Sequence, residues 1–277
     1  METSGFITFL LIITNFLFSY RGFKDHGFFL KYNFQVEQVR VYKDYKRLFT
    51  SGFLHVGWMH LIFNMIALYL MSSTLEYYIG AAEFFLVYAA GLLGGNLLSL
   101  WIHKNDSFYS SVGASGAVFS IMFSSIALFP GLKLGLLFLP ISLPAWLFGL
   151  GYVLFSIYAI HSRSDNIGHD AHLGGGLAGM LVAVLLHPSA FVNNYVTILI
   201  VAIPALVFII SIIKKPGALL IDNLYYKNNR TLTKEDKYNL NKKNRQEELD
   251  KVLEKIHKKG MNSLTDKEKR LLQEYSK

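Results

Sequence analysis

The stretch Phe53-Leu54-His55-Val56-Gly57-Trp58-Met59-His60-Leu61-Ile62-Phe63-Asn64-Met65 decides how this chain is read. It is apolar enough for lipid, yet it carries two imidazoles and a carboxamide. A polar side chain in hydrocarbon is costly and calls for a partner or a task. His60 and Asn64 are four residues apart, so a helix places both on one face, roughly 6 Å from each other. His55 lies five residues before His60, further toward the membrane boundary.

Working outward, apolar stretches that could cross about 30 Å of hydrocarbon occur at residues 5–20, 51–72, 82–102, 113–129, 143–161, 170–187 and 193–213. The chain therefore reads as an all-α polytopic membrane protein with seven spans. No positive region precedes the first stretch and no small-residue cleavage site follows it, so it is expected to be a span and not a signal peptide. Composition agrees: 52% of the 277 residues are hydrophobic and only 17% are charged, against about 25% charged in an average soluble domain. There are no cysteines, which excludes disulfides, thiol nucleophiles, thiolate zinc sites and iron–sulfur clusters.

Charge divides the chain. Residues 1–213 hold 10 Lys/Arg and 9 Asp/Glu, whereas 214–277 hold 17 and 10. The tail is thus a basic, water-loving segment suited to solvent and anionic lipid headgroups. Its cations are interleaved with acids and lack aromatic stacking partners, which argues against nucleic acid. Thr233 with Asp236 predicts one helix start, and Leu249, Val252, Leu253 and Ile256 form an apolar stripe ended by Gly260. Thr265 with Glu268 has capping-box spacing and opens a last helix carrying Leu271, Leu272 and Tyr275. The long connector 21–47 mixes seven Lys/Arg with seven Phe/Tyr and reads as a structured element at the membrane interface.

Two further stretches carry polar groups into lipid. The fourth span opens with Gly113-Ala114-Ser115-Gly116-Ala117, and the sixth holds His169-Asp170-Ala171-His172 followed by Gly174, Gly175, Gly176 and Gly179. Glycines at helical spacing let two helices approach backbone to backbone. If the Gly113/Gly116 face meets the Gly175/Gly179 face, Ser115 and His172 come together. An imidazole in reach of a serine hydroxyl can take its proton and make it a nucleophile. His60 and Asn64 on a neighbouring helix, with the Ser115 backbone N–H, could then stabilise an oxyanion. Asp170 is two residues from His172 and points to another helix face, so a Ser–His dyad is expected and not a triad. A lone serine in a membrane helix ordinarily bonds its own i−4 carbonyl, and glycine pairs alone are packing devices. The conjunction carries the reading. His169 and His172 find no carboxylate or cysteine to complete a tetrahedral set, so no metal is expected.

At these residues the chain resembles the rhomboid intramembrane serine proteases. The resemblance runs from about Arg47 to Pro188: Arg47-Leu48-Phe49-Thr50 leading to His55, His60 and Asn64, then Gly113-Ala114-Ser115-Gly116, then Ala171-His172 with Gly175 and Gly179. It implies a rhomboid-like six-helix core over 1–190 with an interfacial loop at 21–47; the seventh C-terminal transmembrane helix at 191–213 and the short soluble helical tail at 214–277, read from hydropathy and charge, fall outside it. It implies Ser115 as nucleophile, His172 as general base and acid, and His60 and Asn64 as oxyanion donors. His55, Gly113, Gly116, Gly175, Gly179 and Arg47 support the site, and Phe119 packs on the histidine. The implied substrates are single-pass or other membrane-anchored proteins, cut within or beside the transmembrane segment without a cofactor. The expected setting is a prokaryotic inner (cell) membrane. A catalytically silent rhomboid-like scaffold that binds transmembrane clients is the alternative, although such relatives usually lose the serine or the histidine. A seven-helix transporter or receptor would need ionisable residues along a midplane path, and few exist here. The family implies a site opening with the 21–47 loop to the extracytoplasmic side, whereas positive-inside counting puts that loop inside. Orientation stays open.

Overall fold

Long apolar runs in lipid must satisfy their own backbone, and here they do so as helices. The computed structural model describes residues 5–135, 142–162 and 167–214, together with 252, 255, 256, 264, 265, 268 and 272. In chain order the helices are α1 (Phe6–Lys24), α2 (His26–Tyr32), α3 (Val36–Arg40), α4 (Arg47–Thr50), α5 (Trp58–Ile102), α6 (Ser115–Leu128), α7 (Ala145–Ser162), α8 (His169–Leu186) and α9 (Pro188–Lys214). Four of them, α1, α5, α8 and α9, are long and apolar enough to cross a membrane, and α6 and α7 are shorter apolar helices. The all-α polytopic reading therefore stands.

The expected second and third spans are the two halves of α5. Its 45 residues would stretch about 68 Å if straight, more than twice the hydrocarbon thickness. Gly80 breaks it, with φ +78° and ψ 168°, a conformation that glycine alone adopts without strain. The fourth span begins at Ser115 and not at Gly113, because Gly113 sits at φ +134° and cannot be helical. Two short antiparallel pairs were not foreseen: β1 (Phe34–Gln35) with β2 (Ser110–Ser111), and β3 (Lys133–Gly135) with β4 (Ser142–Pro144).

The centre of the fold is a glycine-mediated seam among the second half of α5, α6 and α8. A Cβ added at Gly175 would lie 2.3 Å from the Gly116 carbonyl oxygen, and one at Gly95 would lie 2.5 Å from that of Ala171. Ser120 is wedged between Gly91 and Gly179, whose added Cβ atoms would come within 2.1 and 2.2 Å of its own. Such approaches maximise dispersion contact where no water is available to drive association. Of the expected meeting of a Gly113/Gly116 face with a Gly175/Gly179 face, Gly116 does meet Gly175, whereas Gly179 meets Ser120 and Gly113 lies outside the helix.

Glu76, buried in α5, is a capping group. It accepts hydrogen bonds from the Ile7 N–H at 2.8 Å, the Thr8 N–H at 3.1 Å and the Thr8 hydroxyl at 2.6 Å, at the start of α1. A carboxylate there satisfies orphan amides and complements the helix dipole. In the loop, Arg47 is buried and fastens the chain. Its Nη1 donates to the Leu30 carbonyl (2.7 Å), the Asn33 carbonyl (2.8 Å) and Asn33 Oδ1 (2.9 Å), and its Nε donates to Asp44 Oδ2 (2.9 Å). Burial works to raise the Asp44 carboxyl, but hydrogen bonds and charge from Arg47 and Lys46 outweigh it and hold the group below its ordinary 3.8.

The chain divides into two units, Met1–Tyr226 and Lys227–Lys277. In the second, Thr265 and Glu268 form the reciprocal cap: the Thr265 N–H and hydroxyl donate to Glu268 Oε2 at 2.6 and 2.8 Å. Lys255 Nζ donates to both Glu268 oxygens at 2.9 Å, and with the cap it brings that carboxyl down to about 2. Val252 and Leu264 are buried. Thr233, Asp236, Leu249, Leu253, Gly260, Leu271 and Tyr275 lie outside the described residues.

Candidate active site

The seam sets the site. Ser115 is the first residue of α6, and its neighbour Gly116 is the residue that Gly175 of α8 approaches. His172 is one turn before Gly175, so the backbone contact delivers its ring to the serine. His172 Nε2 stands 2.6 Å from Ser115 Oγ, within hydrogen-bond reach for proton exchange. Serine is half-buried and histidine buried. At the start of α6, the first amides of the helix have no intrahelical acceptor.

Asp170 takes no part in this pairing. It accepts from His103 Nε2 at 3.1 Å, and the His103 ring stacks on Tyr109 with centroids 3.6 Å apart. That contact ties the start of α8 to the end of α5 and the segment beyond it.

The second-span residues fall around the serine with separate tasks. The Ala114 N–H points at His55 Nε2 (3.5 Å), while His55 Nδ1 meets Ser19 Oγ (2.9 Å), which donates to the Phe53 carbonyl (3.0 Å). With Nε2 accepting, His55 carries its hydrogen on Nδ1. His55 thus joins α1 to the residue preceding the serine. The His60 ring packs edge-on to His55 and lies against Gly113, where an added Cβ would come 3.0 Å from His60 Nε2. A side chain at Gly113 would displace that ring as well as strain the backbone. His60 Nδ1 is buried with no hydrogen-bond partner among the described residues. Asn64 Nδ2 donates to the His60 carbonyl at 3.0 Å, one turn back in its own helix. Asn64 also borders the same cleft as Ser115.

That cleft has a volume of about 260 Å³ and runs between α5, α6 and α7, with Phe63, Met71, Val118, Met122 and Phe148 among its apolar walls. Phe119, one turn after Ser115, also lines it. Its ring stacks on His172 at 4.6 Å between centroids and on Tyr152 at 4.0 Å. The Tyr152 hydroxyl hydrogen-bonds with His172 Nδ1. Tyr152 carries no mark in the sequence, since a tyrosine is ordinary in an apolar, aromatic membrane segment. Arg47 is held in the loop by the contacts described above and takes its place there, away from the serine.

Residues 42–189 match the Rhomboid domain model, and residues 232–277 match a family of unknown function (DUF6576). The chain is similar to Rhomboid protein 1, mitochondrial, of Saccharomyces cerevisiae, 34% identical over 47% of this chain and 39% of that protein. It is 31% identical to RHOMBOID-like protein 12, mitochondrial, of Arabidopsis thaliana over 52% of this chain and 47% of that one. It is 41% identical to putative rhomboid protease YdcA of Bacillus subtilis over a shorter part, 27% of this chain and 37% of that one. The chain spans less than half the length of each of these relatives. The yeast and Arabidopsis relatives, matched over about half of this chain, are mitochondrial proteins of eukaryotes. They overturn the expected prokaryotic cell membrane.

Proposed function

The chain belongs to the rhomboid family, and from that premise we propose that it is an intramembrane serine endopeptidase acting on membrane-anchored proteins. The observation that carries the reading is the 2.6 Å approach of Ser115 Oγ to His172 Nε2 at the wall of an apolar cleft. In the proposed reaction Ser115 Oγ attacks the scissile carbonyl while His172 Nε2 takes its proton. The carbonyl oxygen becomes an oxyanion, held by amides of the first turn of α6 together with His60 and Asn64. The imidazolium returns the proton to the leaving amine as the C–N bond breaks. A water, deprotonated by His172, then releases the acyl group and restores the serine.

Two features support this beyond the pairing itself. Both groups are shielded by packed helices, so the charge that develops is met by fixed dipoles in a medium of low dielectric. The cleft beside the serine is walled by apolar side chains and admits a lipid-soluble segment. Asn64 Nδ2, bonded to the His60 carbonyl at 3.0 Å, would serve the oxyanion by turning from its own helix as charge develops.

The test is labelling by a fluorophosphonate probe in detergent or liposomes. Wild type is expected to be labelled and Ser115→Ala is not, with cleavage of a reconstituted transmembrane substrate following the same division. Equal labelling or equal cleavage by the two proteins removes the assignment.

A further inference from the structure

His172 meets Ser115 with one ring nitrogen and Tyr152 with the other, and the second contact has a direction that the first dictates. For Nε2 to accept the serine proton it must carry a lone pair, which in a neutral ring puts the hydrogen on Nδ1. Nδ1–H then donates to the Tyr152 oxygen, with which it is hydrogen-bonded. The phenol hydrogen is left to turn elsewhere, and His169 Nδ1 stands 3.3 Å from the same oxygen. His169 and His172 are three residues apart on α8, so both reach the one hydroxyl from the same face.

We propose that Tyr152 is a positioning residue, which accepts from His172 Nδ1–H and donates toward His169 so that His172 is held in the tautomer able to deprotonate Ser115. This inference rests on the serine protease reading. A carboxylate commonly holds such a histidine, but Asp170 is engaged with His103, and another buried carboxylate would be costly among apolar helices. A phenol offers an acceptor without a charge. When His172 becomes an imidazolium, its bond to the Tyr152 oxygen becomes charge-assisted and strengthens at that step, with no proton passing to the tyrosine. Phe119 stacks on both partners: its ring is inclined by 25° to that of Tyr152 and by 24° to that of His172, and those two rings are inclined by 39° to each other. Three helices therefore meet at the imidazole, α6 through Ser115 and Phe119, α8 through His172 and His169, and α7 through Tyr152.

The experiment compares wild type, Tyr152→Phe, His169→Ala and Ser115→Ala in liposomes, by steady-state cleavage, fluorophosphonate labelling rate and the ring-nitrogen spectrum of 15N-histidine protein. Tyr152→Phe keeps the stacked ring and loses the acceptor. It is expected to lower kcat about 10- to 100-fold with KM unchanged and to turn a single Nδ1–H signal at His172 into a tautomer mixture. His169→Ala is expected to give a smaller fall in kcat. Wild-type kcat in Tyr152→Phe, a change confined to KM, or an Nε2–H tautomer in the wild type overturns the proposal. The wild-type spectrum decides even if a variant fails to fold. Failure of the protease reading looks different: wild type and Ser115→Ala are then labelled alike, whatever Tyr152→Phe does.

Discussion

The seam between α6 and α8 and the flank formed by α7 hold the same imidazole by opposite means. Across the seam, glycine lets backbone touch backbone, so the separation of Ser115 and His172 is set by main-chain contact. Along α7, Leu154, Phe155 and Tyr158 remain exposed and Gly151 faces open space. Its Tyr152 reaches the site through a ring stack and a hydroxyl. A main-chain seam fixes distance, because close-packed backbone has no rotamer to change. A side-chain reach fixes orientation and can let go.

The sharpest way to break that contrast is to place the same methyl group in each region. Gly175→Ala would put a Cβ 2.3 Å from the Gly116 carbonyl oxygen and 2.7 Å from its carbon, and neither is free to swing aside. The helices must part. Overpacking of this kind costs about 1–3 kcal/mol, and a shift of roughly 1 Å at the reacting atoms is worth about 10²-fold in rate. Turnover is expected to fall at least that far, with a lowered Tm. Gly151→Ala meets nothing within 4 Å and is expected to leave both quantities unchanged. Cleavage assays and melting curves on the pair check this. Equal effects would mean that the seam does not set the distance.

This contrast also explains what could be read in advance. Ser115, His172, His60 and Asn64 were legible because each is a polar group inside an apolar run, and only its cost in lipid draws attention to it. Glycines at 116 and 175 were legible through helical spacing. Gly113 was misassigned to that face, since spacing cannot show a residue whose φ is +134° and which stands before the helix. Gly91 and Gly95, which complete the seam from α5, lay in a run that reads simply as a span. Tyr152 was missed for a similar reason. Tyrosine is ordinary near membrane boundaries, and nothing local in α7 shows that its hydroxyl reaches α8. The halves of α5 were legible as separate spans because each is an apolar stretch of membrane-crossing length, at 51–72 and 82–102.

A smaller effect sharpens the comparison from the serine's other side. Asn64 borders the cleft, and its Nδ2 is bonded within its own helix at 3.0 Å. Asn64→Ala leaves the seam intact. On the proposed chemistry it removes a donor used in the transition state, so kcat is expected to fall by about 10²-fold while KM barely moves. Steady-state kinetics on a reconstituted substrate check the split. A rise in KM with kcat retained would assign Asn64 to binding.

The smallest effect belongs to the loop, where hydrogen bonds from Arg47 fasten the chain. Asp44 accepts from Arg47 Nε at 2.9 Å and lies 3.3 Å from Lys46 Nζ. Its folded-state pKa is below the ordinary 3.8, so its carboxylate stabilises the fold above that pH and the contribution disappears as pH falls through the lower, folded value. Partly exposed pairs of this kind contribute no more than about 1 kcal/mol. Asp44→Asn is therefore expected to melt slightly below wild type at pH 7, with the two curves converging as the pH is taken below 3.8. A gap that persists at the acid end would show that Asp44 acts through shape and not through charge. The loop would then keep its fastening from Arg47 to the Leu30 and Asn33 carbonyls, and acid would leave it in place.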